Sequence, residues 1–328
     1  MKNSALYKIP IMVVPTGVGA KIGGYAGDAS QYAQKIAKEF GLIVNPNVVN
    51  AACFSGITDD MLYVEGWGIS ELIKGNLYLT QPKKNKIGVI FDKKIPQNIL
   101  NIHLNTINAM KCVYGFDISE IEITEEEVGI DYCFTEENIS TGAVKNPLTL
   151  KKSALKLKEK NVDVIAIVCH FDDCEADDYE NGDGVDIIGG IEGVISHYVS
   201  SETFIPCAHA PAFSNIEIEG KLINPKAASE YITPTFLPCL FFGLNKAPLY
   251  VKKKNKNVIS YENISALIMP FNSLGSSIVL DALEKNIPVL AVKENETILN
   301  ITSQKLNLDG IINLESYNDC IKYLKERK

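Results

Sequence analysis

IPIMVVPTGVGAKIGGYAGDASQYAQKIAKEFGLIVN, residues 9–45, contains the pattern that decides the fold. An uninterrupted apolar run opens it, which is typical of a parallel strand buried on both faces. A glycine-rich loop follows, and then a segment that places Tyr32, Ile36 and Phe40 on one helical face. Gly41 ends this helix, and a second apolar run comes next. The stretch therefore predicts a strand–loop–helix–strand unit, the building block of a parallel α/β layer.

A second unit of the same kind lies near the carboxyl terminus. Residues 264–295 read ISALIMPFNSLGSSIVLDALEKNIPVLAVKEN and repeat the order of strand, small-residue loop, helix and strand. Together the units predict an α/β protein with two Rossmann-like halves, whose mostly parallel sheets lie around a central cleft. We place the halves at residues 1–147 and 148–328, with a soft boundary that also allows one continuous unit. Within the second half, TPTFLPCLFFGL at residues 233–244 predicts a strand and a loop.

Composition narrows the class of protein. The chain has 328 residues, with 32 Lys and Arg against 40 Asp and Glu and a net charge of −8. This acidic balance, with no long basic run, argues against a nucleic-acid partner. No apolar run reaches transmembrane length, and the first residues lack a signal-peptide pattern. We therefore expect a soluble cytoplasmic protein with no membrane partner, and a homodimer is its default assembly.

The glycine-rich loop is the first candidate ligand site. Its glycines allow backbone N–H groups to converge, and the following helix adds the positive end of its dipole, so the loop favours a phosphate or carboxylate. The spacing is neither the GxGxxG dinucleotide fingerprint nor a Walker A loop. The alternative is a tight crossover whose glycines serve packing alone. The candidate ligand-binding residues are Thr16, Gly17, Gly19, Lys21, Gly23, Gly24 and Asp28, the last also being the expected N-cap of the helix.

The loop of the second unit is another candidate anion site. Ser273, Gly275 and Ser276 place small donors at a predicted helix start, although serine there can also be a simple cap. Glu294 and Asn295 end the strand that follows. They lie at the carboxyl edge of the predicted sheet, where open α/β folds bind ligands.

A group of cysteines and histidines in residues 169–209 is the candidate catalytic site. Cys207 and His209 are two residues apart, so on a strand both side chains face the same side. An imidazole beside a thiol can activate it as a nucleophile or transfer protons itself. Glu192 and His197 are further candidates; they lie five residues apart in a glycine-containing predicted helix and converge only if that helix bends. The alternative is that Cys207 packs in the core and His209 bonds a backbone carbonyl.

Metal binding is a weaker interpretation of the same region. Cys169, His170 and Cys174 carry ligand atoms for zinc, but their spacing matches no established zinc motif. We therefore predict no metal as the default and require no cofactor. Zinc bound by these three residues stays the alternative.

Several longer motifs occur in a fixed order along nearly the whole chain. They are VPTGVGAKIGGYAGDA, YVEGW, GVDIIGGIEGVISH, IPCAHAPA, TFLPC and AVKENET. In these motifs the chain resembles a conserved protein family known only as a domain of unknown function. The resemblance implies a compact protein and brings no known substrate or catalytic residue with it.

The first hypothesis for function is an enzyme that acts on a small anionic metabolite, held by the glycine loop. Its chemistry would be acid–base or nucleophilic, through Cys207 and His209, as in an isomerase, a lyase or a hydrolase. A second hypothesis is a nucleotide-sugar-binding, glycosyltransferase-like protein, since the two loops resemble the diphosphate-binding elements of that class. A third is a non-catalytic protein for ligand binding or assembly.

Overall fold

The structure is a computed structural model that describes residues 8–172, 179–215, 218 and 220–327. In these residues the strands are β1 (Ile9–Met12), β2 (Leu42–Val44), β3 (Asn50–Ala51), β4 (Phe54–Ser55), β5 (Met61–Tyr63), β6 (Tyr78–Leu79), β7 (Lys86–Phe91), β8 (Asp117–Ile123), β9 (Ile130–Phe134), β10 (Ser140–Val144), β11 (Val164–Phe171), β12 (Cys207–Phe213), β13 (Tyr250–Val251), β14 (Ile264–Pro270), β15 (Val289–Val292) and β16 (Ile311–Leu314). The α-helices are α1 (Ser30–Phe40), α2 (Pro46–Val49), α3 (Gly66–Lys74), α4 (Gln97–Tyr114), α5 (Pro147–Glu159), α6 (Gly189–Thr203), α7 (Leu237–Leu244), α8 (Ser277–Glu284), α9 (Ser303–Leu306) and α10 (Tyr317–Glu326).

Two parallel sheets organise the chain. The first has six strands in the order β16-β15-β14-β1-β2-β5, and the second has four in the order β12-β11-β7-β8. All neighbouring strands in both sheets run parallel. The predicted α/β class with mostly parallel sheets is therefore confirmed.

The sequences of the central strands β11 and β15 do not alternate between apolar and polar residues, and the structure explains why. Every residue of β11 is buried, and so is every residue of β15. Helices cover both faces of such a strand, so each position needs an apolar side chain. The apolar runs that predicted these strands are thus the direct consequence of two-sided burial.

The sheets do not follow the order of the chain. Strands from residues 9–63 and 264–314 form the first sheet, whereas strands from residues 86–213 form the second. A boundary at residues 147/148 falls inside the second sheet, between β8 and β11. Both halves of the sequence therefore contribute strands to both sheets.

Two local expectations were wrong. The N-cap of α1 is Ala29, without a side-chain cap, because the Asp28 carboxylate instead accepts a hydrogen bond from the Gly23 backbone N–H. Residues 237–244 form α7 rather than a strand and loop. Seven of its eight residues are buried, so it lacks the polar face by which a helix is recognised.

Candidate active site

A large cavity lies at the carboxyl edge of the six-stranded sheet. Its volume is about 1420 Å³. Val13, Asn45 and Glu65 line it, and they follow β1, β2 and β5 directly or closely. Residues of α6 and β12 form the wall that the second sheet contributes. This is the edge at which open parallel sheets commonly bind ligands.

His209 and Glu192 form a polar pair on that wall. His209 lies on the edge strand β12, and Glu192 lies in the first turn of α6, which packs against β12. His209 Nε2 is 3.5 Å from Glu192 Oε2, and His209 Nδ1 is 3.0 Å from Ser196 Oγ. The two side chains are only 15% and 14% exposed. Ser196 therefore fixes the imidazole ring with its Nε2 edge toward the carboxylate.

Glu65 brings a second carboxyl group to the cavity. It is 5% exposed and is the N-cap of α3, where its Oε2 accepts a hydrogen bond of 2.7 Å from the Trp67 N–H. Burial raises the pKa of this carboxyl to about 7, although backbone N–H groups and His209 act in the opposite direction. Glu65 is thus able to hold a proton near neutral pH.

Asp186 provides a third carboxyl group, just before α6. Its Oδ1 accepts a hydrogen bond of 3.0 Å from the Ile188 N–H. Burial, and then the charge of Glu192, raise the pKa of Asp186 to about 7. Carboxyl groups that compete for charge in one cavity are an established way to obtain an acid and a base from the same side-chain type.

Glu230 is a further carboxyl group that lines the cavity. Its Oε1 accepts hydrogen bonds of 2.9 Å from the Ala26 N–H and from the Tyr179 hydroxyl. Burial, and then the charge of Asp186, raise the pKa of Glu230 to about 8. Tyr25 and Tyr179 pack beside it with their ring centroids 4.6 Å apart.

Of the predicted catalytic residues, Cys207 is placed differently from the others. Its thiol lies in the core, 3.0 Å from Ser200 Oγ and 3.1 Å from the Ser196 carbonyl oxygen. Burial raises the pKa of the Cys207 thiol, which opposes formation of a nucleophilic thiolate. Cys207 does not line the cavity, whereas Glu192, His197 and His209 do. His197 is exposed on α6.

The glycine loop lines the cavity through Pro15, Thr16, Gly24, Tyr25 and Ala26, but most of the residues predicted to bind the ligand there do not face it. Thr16 and Gly24 line it, but Gly17, Gly19, Lys21, Gly23 and Asp28 do not. The Gly23 N–H donates to Asp28 Oδ1 over 2.6 Å, so a carboxylate of the chain itself takes the place of the anion expected there. Burial raises the pKa of Asp28 to about 6. Lys21 is engaged in an ion pair with Glu296.

Close packing accounts for Gly17 in particular. Its φ is +71°, and a Cβ atom there would lie 2.8 Å from the backbone N of Gly190 at the start of α6. The Gly17 carbonyl also accepts a hydrogen bond of 2.9 Å from the Ser140 N–H. The loop therefore packs by backbone contact on the start of α6 and on β10, at a spacing that only glycine permits at this position.

The second loop lies away from the cavity as well. Ser273 is buried and donates to the Pro270 carbonyl over 3.2 Å, Gly275 packs on Ile301, and Ser276 is the exposed N-cap of α8. None of these three residues lines the cavity. They serve the local structure of the turn before α8.

Glu294 and Asn295 connect neighbouring segments by hydrogen bonds, and neither residue lines the cavity. Asn295 is fully buried; its Oδ1 accepts from the Ile22 N–H over 3.1 Å and its Nδ2 donates to the Ile22 carbonyl over 2.8 Å. Glu294 Oε1 accepts a hydrogen bond of 2.5 Å from the Tyr317 N–H. The polar end of β15 thus holds the glycine loop and the start of α10.

The metal candidates do not converge in the described residues. Cys169 and His170 are neighbours on β11, so their side chains leave opposite faces of the sheet. His170 Nε2 is 2.8 Å from Ser214 Oγ, and burial raises the pKa of the Cys169 thiol. Cys174 lies outside the described residues. Within the part of the chain that the structure describes, no three His, Cys, Asp or Glu side chains come together in a way that could hold a metal ion.

The sequence patterns did not identify three carboxyl groups that line the cavity, nor the neighbouring rings of Tyr25 and Tyr179. The sequence did contain a signal for Glu65, because this residue directly follows a predicted strand in the motif YVEGW. Asp186 also had a signal, since it precedes a predicted helix as a capping residue would. Glu230 had none, because the contacts that bury it come from Ala26 and Tyr179, far away in the sequence.

Comparison with known proteins places the chain in a family. Residues 9–328 match the family described as "Protein of unknown function (DUF3326)". The chain belongs to the DUF3326 family. The resemblance noted from the motifs is thereby confirmed, and the cavity with its carboxyl groups lies within the matched region. No solved structure matches the chain.

A relative in Synechococcus sp. corrects one expectation. It is 31% identical over 325 residues, which are 97% of this chain and 90% of the relative, and it is named an uncharacterized lipoprotein. Lipoproteins are held at a membrane by attached lipid, so the expectation of a cytoplasmic protein is contradicted. Among the described residues, no helix combines the length and the apolar character needed to cross a bilayer.

Proposed function

We propose that the protein is an enzyme that transfers protons to or from a small polar metabolite bound in the large cavity. The observation that carries this proposal is the pair of Glu192 and His209, which lines the cavity with Glu192 Oε2 3.5 Å from His209 Nε2. Histidine and carboxyl groups are the side chains that enzymes use most for proton transfer near neutral pH. Perturbed carboxyl groups beside the pair support the same interpretation.

In this proposal His209 exchanges the proton with the substrate. Ser196 holds Nδ1 at 3.0 Å, and Glu192 stabilises the imidazolium that forms when Nε2 accepts a proton. A second group must return a proton on another side of the substrate. Glu65 suits that step, because burial raises its pKa to about 7 and it also lines the cavity.

Two of the expected functions receive less support from the geometry. A nucleophilic Cys207 is disfavoured, since the thiol is buried away from the cavity. A diphosphate held by the two loops is disfavoured, because Asp28 already bonds the Gly23 N–H and Gly275 lies outside the cavity. We therefore propose acid–base chemistry, and the proposed substrate does not need to be an anion.

Isotope exchange tests the proposal without knowledge of the substrate. The protein is incubated with a pooled metabolite extract in D₂O and, in parallel, in oxygen-18 water, and mass spectrometry identifies molecules that gain label only when protein is present. Deuterium reports proton exchange at carbon, and oxygen-18 reports addition of water or hydrolysis. His209→Asn should reduce the labelling rate by about 100-fold or more, the usual contribution of a general acid or base.

The matched control lies on the same helix as Glu192. Glu202 is on α6, pairs with Lys151 and does not line the cavity. Glu202→Gln should leave labelling unchanged, whereas Glu192→Gln should reduce it. An extract that stays unlabelled, or a His209→Asn variant as active as the wild type, contradicts proton transfer by this site.

A further inference from the structure

The interior of the cavity carries an excess of hydrogen-bond acceptors. Five carboxyl side chains line it. They are Glu65, Glu180, Asp186, Glu192 and Glu230. Among the described lining residues the basic side chains other than histidine are confined to Lys221, which is ion-paired with Glu180 at 2.6 Å. A ligand that carries positive charge or hydrogen-bond donors is therefore complementary to the four carboxyl groups other than Glu180.

Within the described residues, two buried polar atoms at the cavity have no hydrogen-bond partner. Glu192 Oε1 is one of them, although Oε2 of the same carboxylate faces His209. The hydroxyl of Tyr25 is the other, on a side chain that is only 5% exposed and lines the cavity. Buried polar groups in folded proteins are rarely left without a hydrogen bond, so these two atoms mark positions that a ligand serves.

The tyrosines add a second kind of recognition. The rings of Tyr25 and Tyr179 are 4.6 Å apart and both line the cavity next to Glu230. The face of an aromatic ring attracts a cation, and the Lys226 ammonium already lies 5.5 Å from the centroid of the Tyr25 ring. The ring pair is thus a surface next to which an ammonium group is accommodated. Aromatic faces flanked by carboxylates are a typical environment for an organic ammonium group.

An inorganic cation fits less well. A divalent metal requires several ligand atoms at one point, and in the described residues no three suitable side chains converge. The carboxyl groups are instead distributed around a space of about 1420 Å³. Such a distribution matches a ligand that carries its positive charge on one atom and further donor groups at a distance.

We propose that the cavity binds a small organic amine in its protonated form, with the ammonium group donating to Glu192 Oε1 and a further polar group of the ligand bonding the Tyr25 hydroxyl. This names the substrate class of the proton-transfer reaction and rests on that proposed function for its catalytic meaning. Asp186 and Glu230 accept from other donor groups of the same ligand.

Matched ligands test the charge that the cavity selects. Putrescine, 1,4-butanediol and succinate share a four-carbon chain and differ in carrying ammonium, hydroxyl or carboxylate ends. Glucosamine and glucose make a second pair, with the size of a sugar. Binding to the full chain is measured by isothermal titration calorimetry at millimolar ligand. We expect putrescine or glucosamine to bind and the neutral and anionic partners to bind at least about tenfold more weakly, as expected for loss of a charged hydrogen bond.

Two variants test which side chains contact the bound amine. Glu192→Gln should weaken amine binding by about tenfold or more, and Tyr25→Phe by a smaller factor, since a neutral hydroxyl contributes less than a carboxylate. Glu202→Gln is the control on the same helix and should bind like the wild type. Binding that favours succinate or the diol, equal binding of all probes, no binding of either amine, or amine binding that Glu192→Gln leaves intact overturns the proposal.

The result is separable from the test of catalysis. His209→Asn removes the proposed proton carrier but leaves Glu192 and Tyr25 in place, so it should abolish labelling and retain amine binding. Amine binding without any labelling refutes the enzyme and leaves the ligand class standing. Labelling of a neutral or anionic molecule, without amine binding, refutes the ligand class and leaves the enzyme standing.

Discussion

Replacing Glu230 by glutamine should make the stability of the protein less sensitive to pH. The Glu230 carboxyl has a pKa raised from 4.5 to about 8, first by burial and then by the charge of Asp186. A raised folded-state pKa means that its stabilising effect is complete below the ordinary value and is lost as the pH rises through the folded value. The free energy of unfolding should therefore fall between roughly pH 5 and pH 8 in the wild type.

The structure sets the size of the effect. Each pH unit in which the folded protein keeps a proton that the unfolded chain has released costs about 1.4 kcal/mol. Over the whole interval this gives an upper limit of about 5 kcal/mol for Glu230. The real decrease in the free energy of unfolding is smaller than this limit, because the titration of Glu230 is coupled to that of Asp186 and because solvent screens the charge. We therefore expect Glu230→Gln to reduce the decrease between these pH values by about 2 kcal/mol.

Glutamine is the informative replacement because it retains the hydrogen bonds. Both contacts of Glu230, from the Ala26 N–H and from the Tyr179 hydroxyl, are accepted by Oε1, which the amide oxygen can replace. The assay is urea denaturation at a series of pH values across this interval. Glu284→Gln is the control, since Glu284 is an exposed side chain of α8. Equal pH slopes for the wild type and Glu230→Gln would refute the buried-proton argument.

Three further outcomes follow from contacts outside the carboxyl set. Gly17→Ala should lower the free energy of unfolding by about 2 kcal/mol or more in urea denaturation, because the new Cβ meets Gly190 and φ is positive; an unchanged midpoint would contradict this contact. Asn295→Ala should cost about 2 kcal/mol, since it leaves both backbone groups of Ile22 without their partner, and hydrogen exchange of the Ile22 amide should accelerate; a protected amide would be the opposing result. Cys207→Ser should leave isotope labelling within about twofold of the wild type, whereas a loss of labelling in a folded variant would restore the thiol as a catalytic group.

Local pattern was sufficient for much of the fold. The apolar runs of β11, β14 and β15 predicted buried parallel strands, and the helices around Ile36 and Ile278 had clear faces or caps. The exception was α7, whose side chains are buried on almost every side. A helix without a polar face has no period to detect, so its apolar sequence reads equally well as a strand.

The candidate site was predictable only where its residues are close in sequence. Glu192 and His209 were found because both fall in one histidine-containing region of the sequence. His209 reaches Glu192 across the contact between β12 and α6, which is a tertiary contact and has no fixed spacing. The partner expected for His209, Cys207, is on the same strand but bonds to Ser200 within the core.

The glycine loop shows how a ligand-binding pattern can serve the fold instead. Glycines at a strand–helix turn expose backbone N–H groups whether or not a ligand is present. Here Asp28 accepts one of those hydrogen bonds, and Asn295 accepts and donates another pair at Ile22. Asn295 follows β15, which lies far from the loop in the sequence but in the same sheet as β1. Its hydrogen bonds with Ile22 therefore fix the loop by a tertiary contact that no local pattern predicts. The loop thus serves the fold through Gly17 and Gly23, and it lines the cavity through Thr16, Gly24 and Tyr25.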